Sequence, residues 1–568
     1  MRWRDVLLIV LIVFTVFGAS LFFGYTNLDD KRLIVGGANN LKSAANIPSF
    51  FKSSYLDFYY RPIVTLSYAF DVMISGINPL VLHLTNILIH IANVVLVYII
   101  LIHFGFKRKI SMAASILFGI YPTVVPSVSW IPGRNDSLLC LFLLLSWFAL
   151  IKFMENIQSG ANFSISLGKA GISFLKNKQS FATVLVKSLI LLLSLFFYGL
   201  ALFTKETAII YILFLGIYLI LYSQKKSYIE IAAIFWGYIS VFILYGFVYM
   251  QVMTAMRGAN WATFVANFFD NLLYIIPIAG EVVIPYKLSF LKHLGDADFI
   301  RGMAVWVVMI IFFIKMGVRD KGLFILGFFM AIFSFLPVFL FLSQKTDNDV
   351  YFVANRYYIP FLGVIFMILS TKFWEGMNKR FMAIAVKVVI IIIAFISLTG
   401  SFVYKDPVSF WTNEAYASAN SFRTNFEAGV MYYDAGRYEE SLNYFKAAAA
   451  VSPNQMVLFH PIALSYLQNR DIHTAIKYFE QEILVSPPDS NLHFQIGLLY
   501  YKIHDFDRAK FHFQESLLIN PLAKLSNYNL GVIALGEGKN EEARVYFTKE
   551  LEVNQGYQSA MEALRKME

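Results

Sequence analysis

The chain has 568 residues, of which 58% are hydrophobic, 17% are aromatic and only 15% are charged. Soluble proteins carry about 25% charged residues, so this composition excludes an ordinary cytosolic enzyme, a disordered protein and a secreted disulfide scaffold. The single cysteine, Cys140, excludes disulfides and cysteine-based zinc sites within one chain. The net charge of +10 does not predict nucleic-acid binding, because the basic residues cluster in short loops between apolar stretches. These features predict a protein that crosses a membrane several times.

The first apolar stretch, residues 6–23, follows a basic start that resembles a signal peptide. It is long enough to cross a bilayer core, which takes about 20 helical residues. A clear small-x-small cleavage site before Tyr25 is lacking. We therefore predict an uncleaved first span with its basic end in the cytoplasm.

Ten further apolar stretches predict a polytopic α-helical membrane domain with about eleven spans over residues 1–404. They are residues 80–104, 111–125, 138–153, 181–203, 208–222, 229–250, 302–314, 323–342, 358–369 and 381–402. Residues 59–74 are half apolar and predict a helix along the membrane surface. Residues 261–285 contain two acidic residues and two prolines, and they predict an outer amphipathic or re-entrant element.

The distribution of basic residues predicts the orientation. If the first span runs outward, alternation places the main basic clusters inside, as the positive-inside rule requires. These clusters contain Lys107, Arg108, Lys109, Lys169, Lys176, Lys178, Lys225, Lys226, Arg319, Lys321, Lys379 and Arg380. Asp29, Asp30 and the chain beyond residue 405 then lie outside. We predict a multi-pass protein of the plasma (inner) membrane with a cytoplasmic N terminus.

An internal repeat begins beyond residue 405, where the charge density rises. Equivalent residues recur every 34 positions, as in Gly429, Ala463, Gly497 and Gly531, or in Phe445, Phe479, Phe513 and Phe547. Small residues where two helices cross, and aromatic residues at the joint, are typical of tetratricopeptide repeats. We predict a linker at 405–421, a capping helix at 558–568, and four repeats at 422–455, 456–489, 490–523 and 524–557.

Polar residues of both signs gather on the predicted outer face. They are Asp29, Asp30, His83, Asn86, Arg134, Asn135, Asp136, Lys205, Glu206, Asn355 and Arg356. Acids in this setting suit general-base or metal roles, and basic side chains suit a phosphate. A polyprenyl phosphate that carries a sugar would explain both the membrane segments and an external site. The cations would neutralise the negative charge that develops on its phosphate as it leaves. For Asp29 and Asp30 the alternative is a solvated turn.

Four short motifs resemble those of one group of membrane enzymes. Residues 58–62, together with Asn78, Pro79, His83, Asn86 and His90, resemble the front end of GT-C class glycosyltransferases. The branch they most resemble carries C-terminal tetratricopeptide repeats, like the transmembrane-and-TPR O-mannosyltransferases and their prokaryotic relatives. Residues 130–136 resemble its outer-turn motif, 204–206 its KE motif and 355–360 its ERYLYLP motif. Asn355 stands where relatives often carry an acid.

The resemblance implies transfer of a sugar from a polyprenyl-phosphate donor to an acceptor hydroxyl, most readily on a protein, with inversion favoured. It places an essential acid in the first external loop, and this maps onto Asp29 or Asp30 as the catalytic base. The expected substrate-binding residues are Arg61, His83, Arg134, Asp136, Lys205, Glu206, Arg356 and Tyr357. Some members need a divalent cation such as Mg or Mn and others do not. The repeats are expected to bind the acceptor or a partner protein.

Three other functions fit parts of the sequence. An oligosaccharide ligase would use a larger donor, a membrane scaffold would use the repeats alone, and a transporter would place charges nearer the middle of the bilayer. Two weaker metal candidates, His293 with Asp296 and Asp298, and Asp347 with Asp349, fit solvated loops better.

Overall fold

The computed structural model describes residues 2–53, 59–158, 178–223, 228–253, 266, 268–285, 289–293, 296–339, 351–374, 379–453 and 455–568. The chain forms two compact units, Met1–Asn413 and Glu414–Glu568. Helices dominate both units, and the strands found among the described residues belong to one two-stranded sheet. This confirms the predicted all-α class, a polytopic membrane domain followed by a helical solenoid.

The first unit consists mainly of long apolar helices. Leaving out the shortest helices and turns, the helices are α1 (Trp3–Phe17), α2 (Pro62–Ser75), α3 (Pro79–His103), α4 (Arg108–Ile120), α5 (Val125–Ser129), α6 (Arg134–Gln158), α7 (Lys178–Thr204), α8 (Tyr211–Tyr222), α9 (Tyr228–Met253), α10 (Ile275–Val283), α11 (Asp296–Met316), α12 (Lys321–Phe333), α13 (Tyr358–Leu369), α14 (Lys379–Ser401) and α15 (Pro407–Ala417), which ends in the second unit. Large apolar side chains such as Phe196, Ile314 and Phe395 are exposed on these helices. Exposed apolar side chains of this kind suit contact with lipid. A helix also forms its own backbone hydrogen bonds, which a segment in lipid requires.

Eight helical segments among the described residues are long and apolar enough to cross a membrane. They are Trp3–Phe22, Pro79–His103, Ile131–Glu155, Leu185–Thr204, Tyr228–Met253, Ala297–Met316, Lys321–Phe339 and Ala383–Tyr404. Helices α4 and α5, bent by 50° relative to each other, are either a ninth, broken span or a re-entrant loop. The predicted spans at 208–222 and 358–369 are shorter apolar helices, so the count by length is lower than the eleven predicted. Helix α10 lies inside the segment 261–285, which is predicted to be an amphipathic or re-entrant element. It has nine residues and is too short to cross a membrane.

The bend between α4 and α5 creates the turn that carries part of the candidate site. Pro122 follows Tyr121 at the break and lacks the N–H that a continuous helix would need. A second tight turn follows at residues 131–133, where a Cβ on Gly133 would lie 2.0 Å from the carbonyl oxygen of Pro126. Only glycine therefore fits at position 133 without displacing backbone. Asn86 ties this turn to α3 by donating to the carbonyl oxygens of Val128, Trp130 and Ile131 at 3.1–3.3 Å.

Two short strands form an antiparallel pair. Strand β1 (Leu291–His293) pairs with β2 (Tyr351–Val353) in the register Leu291↔Val353 and His293↔Tyr351. The 3₁₀ turn Ala354–Tyr357 follows β2 directly and leads into α13. The strand pair thus fixes the start of the turn that contains Arg356.

The second unit is built from helix pairs. Its helices are α16 (Phe422–Asp434), α17 (Tyr438–Val451), α18 (Phe459–Gln468), α19 (Ile472–Val485), α20 (Ser490–Lys502), α21 (Phe506–Ile519), α22 (Ser526–Gly536), α23 (Asn540–Val553) and α24 (Gln558–Met567). Helix α15 occupies most of the stretch predicted as a linker, and the boundary between the two units falls within it, after Asn413.

The repeated glycine and phenylalanine positions meet inside each helix pair, as the sequence pattern predicts. A Cβ added to Gly429 would lie 2.6 Å from the ring of Phe445, and one on Gly497 would lie 2.7 Å from the ring of Phe513. Both phenylalanine rings are fully buried. The glycines therefore permit the close crossing that the aromatic rings fill.

A histidine pair makes the solenoid sensitive to acid. The Nδ1 atoms of His493 and His512 lie 3.2 Å apart, and the Tyr500 ring stacks on His512. Burial lowers the pKa of His512 to about 4 and also lowers the pKa of His493. The unfolded chain, with histidine pKa values near about 6.5, binds more protons than the folded chain below that pH. The free energy of unfolding is therefore expected to fall from about pH 6.5 towards pH 4.

Denaturant unfolding of residues 414–568 at a series of pH values measures this effect. The variant His512→Gln should show a shallower dependence on pH between about 6.5 and 4. His473→Gln is the control, because His473 is exposed. An unaltered slope in His512→Gln would assign the acid sensitivity to other groups.

Candidate functional site

An ion-paired cluster forms where α6 begins and α7 ends. The Nζ of Lys205 lies 2.6 and 2.7 Å from the two carboxylate oxygens of Asp136, and Nδ2 of Asn355 donates to Asp136 Oδ2 at 2.8 Å. All three side chains are buried. Burial lowers the pKa of Lys205 to about 8, although Asp136 acts in the opposite direction. Asp136 thus favours the charged form of Lys205, against the effect of burial.

A second ion pair lies beside the first along the chain. Glu206, the neighbour of Lys205, accepts hydrogen bonds from Nε and Nη2 of Arg61 at 3.2 and 3.0 Å. The guanidinium carbon of Arg61 lies 4.1 Å from the centre of the Tyr59 ring. Both charged side chains are nearly buried. The charges of Arg61 and Glu206 thus neutralise each other. Their hydrogen bonds join the residue before α2 to the residue that follows Lys205.

Arg356 supplies a further positive charge. It lies in the 3₁₀ turn after β2, and its guanidinium carbon is 5.5 Å from the centre of the Phe352 ring. Its Nη1 atom is buried and has no hydrogen-bond partner among the described residues. A buried guanidinium nitrogen without a partner is expected to attract an anionic ligand.

Asp136, Lys205 and Arg356 form the charged part of the wall of one cavity. The rest of its wall is mainly apolar and comes from α6, α8, α12 and α13. Its apolar residues include Leu139, Leu143, Leu144, Trp147, Phe214, Phe329, Met330 and Val338. We call this space the head-and-tail cavity, because it combines one charged region with a long apolar wall. That combination fits an amphipathic ligand with an anionic head.

The two acids of the loop after the first helical segment, Asp29 and Asp30, occupy different environments. Asp30 is 1% exposed; its Oδ2 accepts hydrogen bonds from the Thr26 backbone N and Oγ1, and its Oδ1 accepts from the Lys31 N. Burial raises the pKa of Asp30 above its usual range despite these bonds. Asp29 is only half-buried. Asp30 thus organises the loop, while Asp29 is the more accessible carboxylate.

A hydrogen bond joins this acidic loop to the turn that precedes α6. The indole N–H of Trp130 donates to Thr26 Oγ1 at 3.1 Å, and Thr26 in turn holds Asp30. Helix α6 starts four residues after Trp130 and presents Asp136 in its first turn. The Trp130–Thr26 hydrogen bond therefore connects the loop that contains the two acids to the turn that precedes the helix with Asp136.

Arg134 does not line the head-and-tail cavity, and its role in binding the donor phosphate stays a prediction. The side chain is fully buried, with Nη2 2.6 Å from Asp71 Oδ2 and 2.7 Å from the Leu82 carbonyl oxygen. Its Nε donates to Asn86 Oδ1 at 2.6 Å. Arg134 is therefore a structural cation that joins α2, α3 and α6.

Replacing Arg134 by methionine is expected to destabilise the protein by about 3–5 kcal/mol, because Asp71 would keep a buried charge without a partner. Thermal unfolding in detergent measures the change. The double variant with Asp71→Asn should recover much of the loss, since it removes the orphan charge. A single variant as stable as the parent would contradict this structural role.

Two other predicted residues lie outside the head-and-tail cavity. Tyr357 is buried and donates from its hydroxyl to Glu281 Oε2 at 2.7 Å. His83 is buried in α3 with its ring 6.2 Å from that of Phe23. Neither residue lines the head-and-tail cavity. Glu281 was not predicted as a site residue, although it is an acid in an apolar segment, which is the signal that could have identified it.

Metal ligation stays a prediction for this chain. In the stretches that the structure describes, no three histidine, cysteine or acidic side chains come together as a metal site. Asp298 forms a 3.0 Å ion pair with Arg301. Asp347 and Asp349 lie outside the described residues.

The second unit is similar to known tetratricopeptide-repeat proteins. Models of the tetratricopeptide repeat match residues 422–455 and 494–557. The second unit is a tetratricopeptide domain. The crystal structure of MamA is 19% identical and covers 28% of this chain and 91% of its own, with a TM-score of 0.25. YrrB, described as a TPR protein with an unusual peptide-binding site, is 18% identical and covers 28% and 82%, with a TM-score of 0.26.

Part of the chain is similar to protein O-mannosyl-transferases. It is 30% identical over 151 residues to TMTC1 of Homo sapiens, a match that covers 26% of this chain and 15% of that protein. It is 25% identical over 163 residues to TMTC3 of Mus musculus (27% and 17%) and 31% identical over 120 residues to TMTC4 of Homo sapiens (18% and 16%). These matches confirm the predicted resemblance. Each spans less than a fifth of the relative.

Proposed function

We propose that this multi-pass membrane protein is a glycosyltransferase that moves a sugar from a polyprenyl-phosphate donor to a protein hydroxyl. The observation that carries the proposal is the head-and-tail cavity, which places Lys205 and Arg356 beside a long apolar wall. A phosphate-linked isoprenoid combines the same two properties, an anionic head and an apolar chain. The similarity to protein O-mannosyl-transferases supports the same class of reaction.

The two basic side chains would act on the leaving group. As the bond between the sugar and the phosphate breaks, negative charge grows on the lipid phosphate. Lys205 and Arg356 would stabilise that charge in a buried, weakly screened site. Asp136 would hold Lys205 in place through its two short contacts.

An acid of the first external loop would be the base. We favour Asp29, because it is only half-buried, whereas Asp30 is 1% exposed. Asp29 would take the proton from the acceptor hydroxyl as the oxygen attacks the anomeric carbon. A single displacement of this kind inverts the configuration. A divalent cation stays an open prediction, and no step here depends on one.

The tetratricopeptide repeats would bind the acceptor polypeptide or a companion protein in their groove. We propose that the N terminus is cytoplasmic and that residues 405–568 lie on the outer side. The eleven spans predicted from the sequence are an odd number, and this prediction supports ends on opposite sides of the membrane. Reporter fusions at residue 405 and at the C terminus would test this orientation, and a cytoplasmic repeat domain would overturn it.

Reconstitution tests the reaction. The purified protein in lipid nanodiscs is incubated with polyprenyl-phosphate mannose carrying a radioactive sugar and with secreted proteins from a host lacking the gene. Transfer to protein, with stereochemistry determined on a released glycopeptide, is the expected result. Consumption of donor only when it carries an assembled oligosaccharide would instead identify a ligase. A protein that binds no donor and transfers nothing would overturn the proposal and favour a scaffold.

A further inference from the structure

The solenoid of the second unit has two edges, and helix ends from successive repeats meet at each of them. Near the start of α18, His460 Nδ1 lies 3.0 Å from Oε2 of Glu482, which is near the end of α19. Directly before α22, the backbone N–H of Leu525 donates at 2.9 Å to Glu550, which is near the end of α23. The starts of α16, α18, α20 and α22 and the ends of α17, α19, α21 and α23 therefore form one edge, which we call the first edge. The chain enters the solenoid at this edge, at Phe422.

Leucine side chains are exposed along the first edge. Leu484 and Leu518, the next-to-last residues of α19 and α21, are 83% and 75% exposed, and Leu522 in the turn before α22 is 69% exposed. Among the described residues of the second unit, no other leucine is more than 39% exposed. Leu484 and Leu518 are 34 residues apart, so they occupy equivalent positions of neighbouring repeats. The first edge thus carries a row of apolar side chains.

The opposite edge has a different composition. It is formed by the four turns that join the two helices of each repeat, and each turn contains a charged residue. Examples are Arg437, Asp471, Asp505 and Lys539. Exposed leucines are unfavourable in water, and a cluster of them marks a surface that binds a partner or a membrane. A solenoid with water on all sides would not favour such a difference between its edges.

The course of the chain indicates what meets the first edge. The segment Ala383–Tyr404 is long and apolar enough to cross a membrane, and the solenoid begins at Phe422. The connection, residues 405–421, contains the 11-residue helix α15, which is only about 16 Å long. With its other residues fully extended, the connection reaches at most about 45 Å. It also carries the exposed Tyr416, a residue type that is enriched at membrane interfaces. The chain therefore enters the apolar edge directly from a membrane segment.

We infer that the first edge binds the bilayer interface by inserting Leu484, Leu518 and Leu522 between lipid head groups. Side chains of this kind gain from burial at the boundary between head groups and acyl chains. The charged residues of the neighbouring turns, Asp489 and Lys524, have opposite signs. The contact is thus mainly apolar and is expected with zwitterionic lipid as well as with anionic lipid. The inference uses neither the proposed reaction nor the side of the membrane on which the repeats lie.

Fluorescence quenching by lipid tests the inference on the full-length protein in phosphatidylcholine nanodiscs. The variants Leu484→Cys and Leu518→Cys are labelled with an environment-sensitive fluorophore, and both side chains are exposed, so the substitutions should preserve the fold. The single native cysteine, Cys140, is buried, and the labelled parent measures its background. Nitroxide-bearing phosphatidylcholine should lower the fluorescence at both positions at least about twofold, because an inserted side chain lies within about 5–10 Å of the acyl boundary.

Leu535→Cys is the matched control. It makes the same change at a leucine that lies at the end of α22, next to the opposite edge, and it should keep its fluorescence. Repeating the measurement with added anionic phosphatidylglycerol should change the quenching little, since the contact is apolar.

Three results would contradict the inference. The first is unquenched fluorescence with water-like emission at both first-edge positions. The second is equal quenching at Leu535→Cys, since lipid contact would then not distinguish the edges. The third is blue-shifted emission without quenching, which would show that protein, such as a second copy of the chain, covers the leucines instead of lipid. A protein that transfers no sugar but is quenched as expected would contradict the proposed function alone.

Discussion

Sugar transfer is expected to fall by about 100- to 10,000-fold when Asp29 is replaced by asparagine, the range typical of removing a general base. The acceptor hydroxyl would then lose the group that takes its proton, while donor binding should not change. The measurement is transfer of radioactive sugar at saturating donor, together with the Kd for polyprenyl phosphate. A matching fall in both transfer and affinity would show that Asp29 acts in binding instead.

Two variants serve as references for Asp29→Asn. Asp507→Asn makes the same change at a side chain that is 96% exposed on the solenoid, and it should leave transfer unchanged. Asp30→Asn should lower the unfolding temperature as well as activity, because an amide nitrogen cannot accept the bonds that one carboxylate oxygen now receives from Thr26 or Lys31. Full transfer in both Asp29→Asn and Asp30→Asn would rule out this loop as the source of the base.

Donor binding is expected to weaken by about 10- to 100-fold when Arg356 is replaced by glutamine, since a hydrogen bond to a charged group contributes about 1.5–3 kcal/mol. Arg356 is a cleaner test than Lys205. Removal of the Lys205 charge would leave Asp136 buried without its ion partner, whereas Nη1 of Arg356 has no partner to lose among the described residues. The measurement is the Kd for polyprenyl phosphate in nanodiscs.

Arg437→Gln is the matched control for Arg356→Gln. It removes an exposed arginine that pairs with Glu440 on the solenoid surface, where such pairs contribute little. Unaltered affinity in Arg356→Gln would mean that the lipid head lies outside the head-and-tail cavity.

The sequence predicted the fold class because hydropathy and the 34-residue period are strong, local signals. Gly497 and Phe513 meet as the repeat pattern requires. The span count was less accurate, because α8 and α13 have only 12 residues each although their composition is strongly apolar. Apolar composition alone does not show where a helix begins or bends.

The candidate site was predicted in part. The sequence placed Asp136, Lys205 and Arg356 on one face, and the structure brings them to one cavity. It could not separate Arg134 from Asp136, since two neighbours in a motif share a predicted side of the membrane but point to different partners. Glu281 was missed for a similar reason, because its role depends on contact with Tyr357, 76 residues away along the chain.

Asn355 has a consequence for the charge balance of the cluster. The amide donates to Asp136 as a neutral group, so Arg61, Glu206, Asp136, Lys205 and Arg356 together retain one uncompensated positive charge. An acid at position 355 would cancel that surplus and place a second carboxylate against Asp136. In this chain the asparagine therefore preserves an electrostatic preference for anions, and a protein of similar design with an acid there would need another cation to keep it.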